Sequence, residues 1–264
     1  GVVVVDEDRD LVARGEAPSS AAIARPEERR QLRDGRATAA TEGVAQLPSL
    51  LGTGDGGGTR GLAPGDKVTV FVDNHDTERS HDDSLNLRDD GAAFVLANLF
   101  MLAQPYGRAQ LQSGYVVSPS RLDADAPASS PFDASGEAVI GRAWDFVHRL
   151  PGIAPMVAFR NAMDGLPMTR IRAGNAHQLA FARGTAGFVV INADEAPWNA
   201  SFDTGLPAGS YCNLAHGGRT DDGRGCEADR VVVDGGGRTE LAVGGVRGAA
   251  VAAVVLASDS RILP

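Results

Sequence analysis

Val68-Thr69-Val70-Phe71-Val72, followed at once by Asp73-Asn74-His75-Asp76, is the stretch on which the fold turns. A run of apolar and β-branched residues with no polar alternation reads as a strand buried on both faces. Such strands belong to parallel sheets covered by helices. The polar set then falls at the strand's C-terminal end, where barrel enzymes keep their catalysts. Without that context the same residues are a histidine and two aspartates capping a strand and its loop.

Working outward, Asp89-Asp90 open an apolar helix from Gly91 to Ala103, the acidic pair suiting a helix start, and Pro105 and Gly107 stop it. A strand from Ala109 to Val117 and a second helix from Glu137 to Leu150, closed by Pro151-Gly152, are expected next. Upstream, Val2 to Val5 reads as another buried strand ending in Asp6-Glu7-Asp8. A helix fits Pro26 to Arg33, and the Gly-rich run from Leu51 to Gly65 reads as loop. The grammar changes after Asn161. Short strands are expected at Ile171–Arg172, His177–Ala182, Gly187–Asn192, Gly209–Cys212, Arg230–Val233, Thr239–Val243 and Ala250–Ala257, divided by Gly, Asp and Asn turns. That pattern describes a small antiparallel sandwich or barrel. The chain therefore divides into an α/β part, 1–165, and an all-β part, 166–264.

Of the 264 residues 43% are hydrophobic and 22% charged, a globular balance. The formal net charge of -9 argues against a nucleic-acid partner. The one basic stretch, Arg25 to Arg36, is broken by Glu27, Glu28 and Asp34 and reads as a solvated face. No apolar run approaches the length of a membrane span, so no membrane partner is expected. Gly1 leads straight into Val2 to Val5, which reads as the middle of a longer protein rather than a leader. The two cysteines, Cys212 and Cys226, share one Gly-rich stretch; composition leaves open both two separate thiols and a disulfide.

Glu7, just past Val2 to Val5, forms a second candidate site. Carboxylates offered by two strand ends into one pocket suit glycosidic hydrolysis, which needs one protonated carboxyl beside others that stay ionised. Trp198, Phe188 and Phe202 read as core aromatics rather than a sugar-stacking platform.

Phe71 to Asp76, continued by Thr77, Glu78 and Arg79, resembles the motif that ends the seventh barrel strand of the alpha-amylases, most closely the animal and actinobacterial subgroup. Leu96 to Gly107 resembles that family's helix and turn before strand eight, and Met156 to Asn161 the segment before its C-terminal domain. Gln178 to Asn192 and Thr204 to Cys212 resemble that domain itself. The resemblance covers about residues 67–264. It implies the C-terminal half of a TIM barrel followed by an antiparallel Greek-key β sandwich.

The resemblance implies roles residue by residue. Asp76 becomes the transition-state stabiliser and His75 a hydrogen-bond partner of the same sugar. Gly15 to Ser20 resembles the stretch after the family's catalytic glutamate. Ungapped counting puts that glutamate at Arg9, and two extra loop residues put it at Glu7, directly after the strand. Glu7 is therefore taken as general acid/base, with Asp8 the alternative. The family retains configuration through an aspartate nucleophile on strand four, which precedes Gly1, as do most calcium ligands. Asn74 and Gln110 occupy positions that hold chloride in some members; a neutral Gln110 lacks the charge to keep the anion, so chloride is not expected. Cys212 and Cys226 match a family disulfide. The implied protein is a secreted, monomeric hydrolase of α-1,4-glucans with bound calcium, of which 1–264 alone is inactive and aggregation-prone. An α-glucan transferase and a non-catalytic protein on the same scaffold are the alternatives.

Overall fold

The computed structural model describes residues 43–51, 68–75, 77–78, 85–116, 126–246 and 251–262, and the backbone of 3–6. Glu7, Asp8, Asp76 and the helix expected at Pro26 to Arg33 lie outside the described residues.

Strands β1 (Val3–Asp6), β2 (Val68–Phe71) and β3 (Arg108–Ala109) form one sheet in the order β1-β2-β3. β2 and β3 are parallel, pairing Thr69 with Arg108 and Val70 with Ala109. The expected strand at 109–117 is thus shortened to its first residues, although the Gln110 N–H still donates to the Val70 carbonyl at 2.9 Å. β1 departs further from expectation. It runs antiparallel to β2, with Val3 opposite Phe71 and Asp6 opposite Val68. The second edge of β2 carries N–H and C=O groups that must be satisfied, and an apolar strand does so in either direction.

Between β2 and β3 runs α2 (Leu87–Ala103), preceded in the chain by the short α1 (Leu47–Leu50). α2 starts earlier than the acidic pair alone implies because Asn86 caps it. Asn86 Oδ1 accepts from the Asp89 N–H at 2.9 Å, and Asp90 Oδ2 accepts from the Asn86 N–H at 2.8 Å. This reciprocal capping satisfies two donors a helix start leaves open. Gly91, at φ 40°, breaks the helical path just inside it. From Leu99 to Ala103 the helix is buried all round, so it serves as core.

The helix expected at 137–150 is absent. Residues 132–137 and 140–142 are exposed, Gly141 and Phe146 adopt positive φ of 74° and 48°, and isolated bridges join Tyr115 to Trp144 and Phe132 to Ala138. Gly141 and Phe146, both at positive φ, interrupt any helical path, and the segment follows its turns instead. Only Val147–Arg149 makes a turn of 3-10 helix, and the true helix, α3 (Ala154–Ala162), follows Pro151-Gly152.

The remainder is all β. β4 (Met168–Ala173), β5 (Gln178–Arg183), β6 (Gly187–Asn192) and β11 (Ala253–Ala257) make a four-stranded antiparallel sheet in the order β11-β6-β5-β4. β7 (Trp198–Asp203) pairs with β10 (Arg238–Val243), while β8 (Gly209–Cys212) lies between β9 (Arg230–Val233) and β12 (Arg261–Ile262). A Greek-key return would set the late strand beside β4. Within this sheet β11 instead pairs with β6: β11 is largely buried, whereas β4 is mostly exposed and is left at the open edge. β7 was not foreseen, though Trp198, Ala200 and Phe202 alternate inward.

Two cores meet at β5, β6 and β11. Leu179, Phe181, Val189, Ile191 and Val255 face α2 and α3, packing with Phe94, Leu99, Met156 and Phe159. Their neighbours Ala180, Phe188, Val190 and Leu256 face Trp198, Phe202, Tyr211 and Val233 inside the sandwich. Phe188, Trp198 and Phe202 are indeed core aromatics, with centroids 5.8 Å and 4.9 Å from Phe202. Each such ring contributes about 1.5–3 kcal/mol by leaving water.

Two arginines tie down the helix ends, Arg183 from the sandwich and Arg160 from α3 to the end of α2. Arg183 on β5 is 2% exposed and donates to the carbonyls of Ala103, Met163 and Leu166. Arg160 on α3 donates to those of Met101, Gln104, Tyr106 and Gly107. Positive charge thus sits where the α2 and α3 carbonyls run out of partners. Burial, then the Arg160 charge, lowers Arg183 to about 10. Cys212 and Cys226 are bonded to each other, S–S 2.06 Å.

Candidate active site

The chain leaves β2 through Val72, which is buried, and Asp73, only 6% exposed. It then turns tightly. The Asn74 carbonyl accepts from the N–H groups of Thr77 at 3.1 Å and Glu78 at 2.8 Å. Asn74 Oδ1 accepts from the Thr77 N–H at 3.0 Å and from Thr77 Oγ1 at 3.1 Å, while Thr77 Oγ1 accepts from the Asn74 N–H at 3.0 Å. Asn and Thr have side chains short enough to close such a turn on themselves. The outcome is that His75 stands exposed at the tip.

Because β2 and β3 are parallel, the residues after each strand leave the sheet at the same end. That brings Gln110 and Gly114 to the same end as Asn74 and Glu78. Asn74 is engaged with Thr77, and the Gln110 side chain is exposed. At Gly114 a Cβ would lie 1.9 Å from a Glu78 carboxylate oxygen, so glycine is required for Glu78 to lie there. The chain after Gly114 is tied to a distant stretch: Asp145 N–H donates to the Gly114 carbonyl at 3.0 Å, Trp144 Nε1 to the Ser113 carbonyl at 3.1 Å, and the Trp144 and Tyr115 rings lie 5.9 Å apart.

These contacts enclose a cavity of about 140 Å³ lined by Asp73, Glu78, Arg88, Tyr115 and Asp145, among others. Burial, and next the negative charges of Glu78 and Asp145, push the Asp73 carboxyl up to about 7, against the pull of its own backbone amide. Burial and then Glu78 raise Asp145 to about 6. Near neutral pH this pocket therefore stores a proton on a carboxylic acid, the state a general acid requires. Crowded carboxylates are compatible with cation binding, yet among the described residues no group of three or more His, Cys, Asp or Glu is placed to hold a metal ion. The described residues do not fit a calcium site.

The structure unites only part of the expected site. His75 and Asn74 share the turn, and Gln110 lies at the same sheet end. Glu7 and Asp76 lie outside the described residues, but β1 bears on the former. Asp6 opposes Val68, the start of β2, so the end of β1 from which Glu7 follows lies away from His75. The expected meeting of two strand ends in one pocket does not occur in this antiparallel pairing. Sequence reading missed Glu78 and Asp145. Glu78 sits within the quoted motif and was within reach; Asp145 carries no local signal, since only the bridge between 113–115 and 144–147 brings it in.

No helix among the described residues is long and apolar enough to cross a membrane. Residues 171–257 match the family described as alpha amylase, C-terminal all-beta domain. The chain is similar to pancreatic alpha-amylase 2a5 of Mus musculus, 34% identical over 197 residues covering 69% of this chain and 38% of that one. It is also similar to an alpha-amylase of Streptomyces violaceus, 39% identical over 154 residues, 58% of this chain and 26% of that one. The chain thus spans less than half the length of the curated relatives it matches. Among solved structures, wild-type alpha-amylase I from Eisenia fetida shares the fold with a TM-score of 0.69 at 24% identity, over 89% of this chain and 48% of that one. The polar set ending β2, the all-antiparallel β domain and these relatives together place the chain in the alpha-amylase family.

Proposed function

We propose that residues 1–165 are the later strands of a catalytic TIM barrel and 166–264 its C-terminal domain, in a protein that hydrolyses internal α-1,4-glucosidic bonds of starch- or glycogen-like glucans. The observation that carries this reading is the polar set at the C-terminal end of β2, with His75 exposed at its tip beside a cavity where burial raises the Asp73 and Asp145 carboxyls. The parallel β2–β3 pair joined through α2 supports the barrel assignment.

In this mechanism a carboxyl protonates the leaving glycosidic oxygen while an aspartate from outside this chain attacks the anomeric carbon. The deprotonated carboxylate then takes a proton from the water that hydrolyses the glycosyl-enzyme, retaining configuration. Asp76 stabilises the oxocarbenium-like transition state, and His75 hydrogen-bonds the same sugar. Glu7 is assigned as the acid/base; that role needs its strand end on the His75 side, a parallel placement unlike the β1–β2 pair. Calcium belongs to the longer protein, with most of its ligands outside this chain. Chloride has no role, since Gln110 supplies no charge. Secretion as a monomer completes the reading. The antiparallel β1 favours one alternative, a glucan-binding protein that has lost catalysis.

The test is reducing-sugar release from soluble starch by a polypeptide joining this chain to upstream barrel strands. Asp76→Asn should lower the rate about a thousandfold, and activity unchanged in that variant overturns the assignment. Starch hydrolysis by 1–264 alone overturns the division of labour.

A further inference from the structure

The open edge of the sandwich gathers positive charge in a chain whose formal net charge is -9. β4 is an edge strand, and its pairing with β5 slips between Thr169, opposite Ala182, and Arg172, opposite Ala180. The extra residue is a bulge, and Arg170 within it has φ 49°. A bulge of this kind re-aims side chains. Here it turns Arg172 toward the sandwich rather than away from it. Its guanidinium lies 5.9 Å from the Trp198 ring centre and 5.2 Å from that of Phe202, and it donates to the Ser201 carbonyl. From β10, Arg238 donates to Ser201 Oγ at 3.0 Å, while Arg170 pairs with Asp203 at 3.2 Å.

These groups line a cavity of about 150 Å³ floored by Ala180, Phe188 and Phe202. Three guanidinium charges less the one carboxylate, Asp203, leave a surplus of two positive charges in the lining. Glu240, the cross-strand neighbour of Ser201, stands outside it. Arg172 and Arg238 each use one N–H in the contacts above and keep others of the planar fork for a ligand. The rings beneath are buried, so sugar stacking is excluded here, whereas a doubly charged tetrahedral oxyanion matches the surplus in both charge and shape.

We propose that this pocket binds a phosphate group, free or as a monoester, through Arg172, Arg238 and Ser201, on a face remote in the fold from the β2 turn. It stands independently of the catalytic reading. A purely structural role, in which the arginines shield an open sheet edge, predicts no saturable dianion binding.

The experiment is calorimetric and NMR titration of the full chain with inorganic phosphate, glucose 6-phosphate and, as neutral control, maltose. Saturable binding of the two phosphates is expected, weakened by salt, with maltose silent. Arg238→Gln should weaken it about tenfold or more; that side chain is exposed, so the fold should survive. Arg172→Gln should do likewise. Equal affinity for both phosphates identifies the oxyanion alone as the ligand, and tighter glucose 6-phosphate identifies a sugar ester; both support the site. Absence of saturation, equal binding of maltose, or binding unchanged in Arg238→Gln overturns it.

Discussion

The all-β part and the part that precedes it fold on different terms. From Met168 to Ile262 the strands find partners within the same stretch, and the sandwich closes its own core around Trp198, Phe202 and Tyr211. Among the described residues from Val68 to Ala162 there are two short parallel strands and two helices, and much of their apolar surface is covered by the outer face of the β5-β6-β11 sheet. Phe100 of α2 meets Phe181 of β5 edge-on at 6.3 Å. One part makes its core; the other borrows half of one. A region that supplies its own partners shows its structure in its alternation, and a region that docks elsewhere shows only local signals.

The strongest way to break this contrast is to empty the sandwich. Phe202→Ala removes a ring that is 1% exposed and packs against two other aromatics. It should cost about 3–5 kcal/mol in urea denaturation. Because the helices rest on the same sheet, they should melt with it; helical circular dichroism surviving loss of the β domain would show that the helical part stands alone.

Arg183→Met separates the two parts more selectively. It keeps a long apolar stem while withdrawing donors from the Ala103, Met163 and Leu166 carbonyls. A loss of about 3 kcal/mol is expected, with one unfolding transition becoming two. An unchanged single transition would mean that apolar contact alone couples the parts.

The smallest expected effect sharpens the contrast through pH. Asp73 and Asp145 titrate at about 7 and about 6 in the fold, above the 3.8 of a free side chain. The folded form therefore holds protons that the unfolded chain releases above pH 4. Their stabilising contribution is complete below the unfolded value and is lost as pH rises through 6 and 7. Thermal melts should show the β2 region less stable at pH 8 than at pH 5. Asp73→Asn should recover of order 1–3 kcal/mol at pH 8 and flatten the dependence. A melt that improves with pH over this window would refute the carboxyl crowding.

The contrast also governs what could be read in advance. β5, β6, β8, β9 and most of β10 and β11 were visible as apolar runs between turn residues, and β2 likewise. β7 is hidden in sequence because the polar alternates of Trp198-Asn199-Ala200-Ser201-Phe202-Asp203 are Asn, Ser and Asp, residues that equally favour turns. The helix expected at 137–150 failed although Val139, Ala143 and Val147 share helical spacing, because Trp144, Asp145 and Val147 bond instead to Ser113 and Gly114, partners far away in sequence. At the site, Asn74 and His75 could be read as a strand-end turn. Glu78 could have been included for its place in the same turn.

By itself the sequence determined β2 and most strands of the all-β part, the polar turn that ends β2, and the family, because these rest on local periodicity and on contiguous motifs. Only the tertiary structure decided the direction of β1 against β2, the meeting of Asp145 with Asp73 and Glu78, and the convergence of three arginines at the β4 edge. Each depends on which segments lie side by side. That choice is made by strand pairing and by burial across long separations, which no short stretch of sequence encodes.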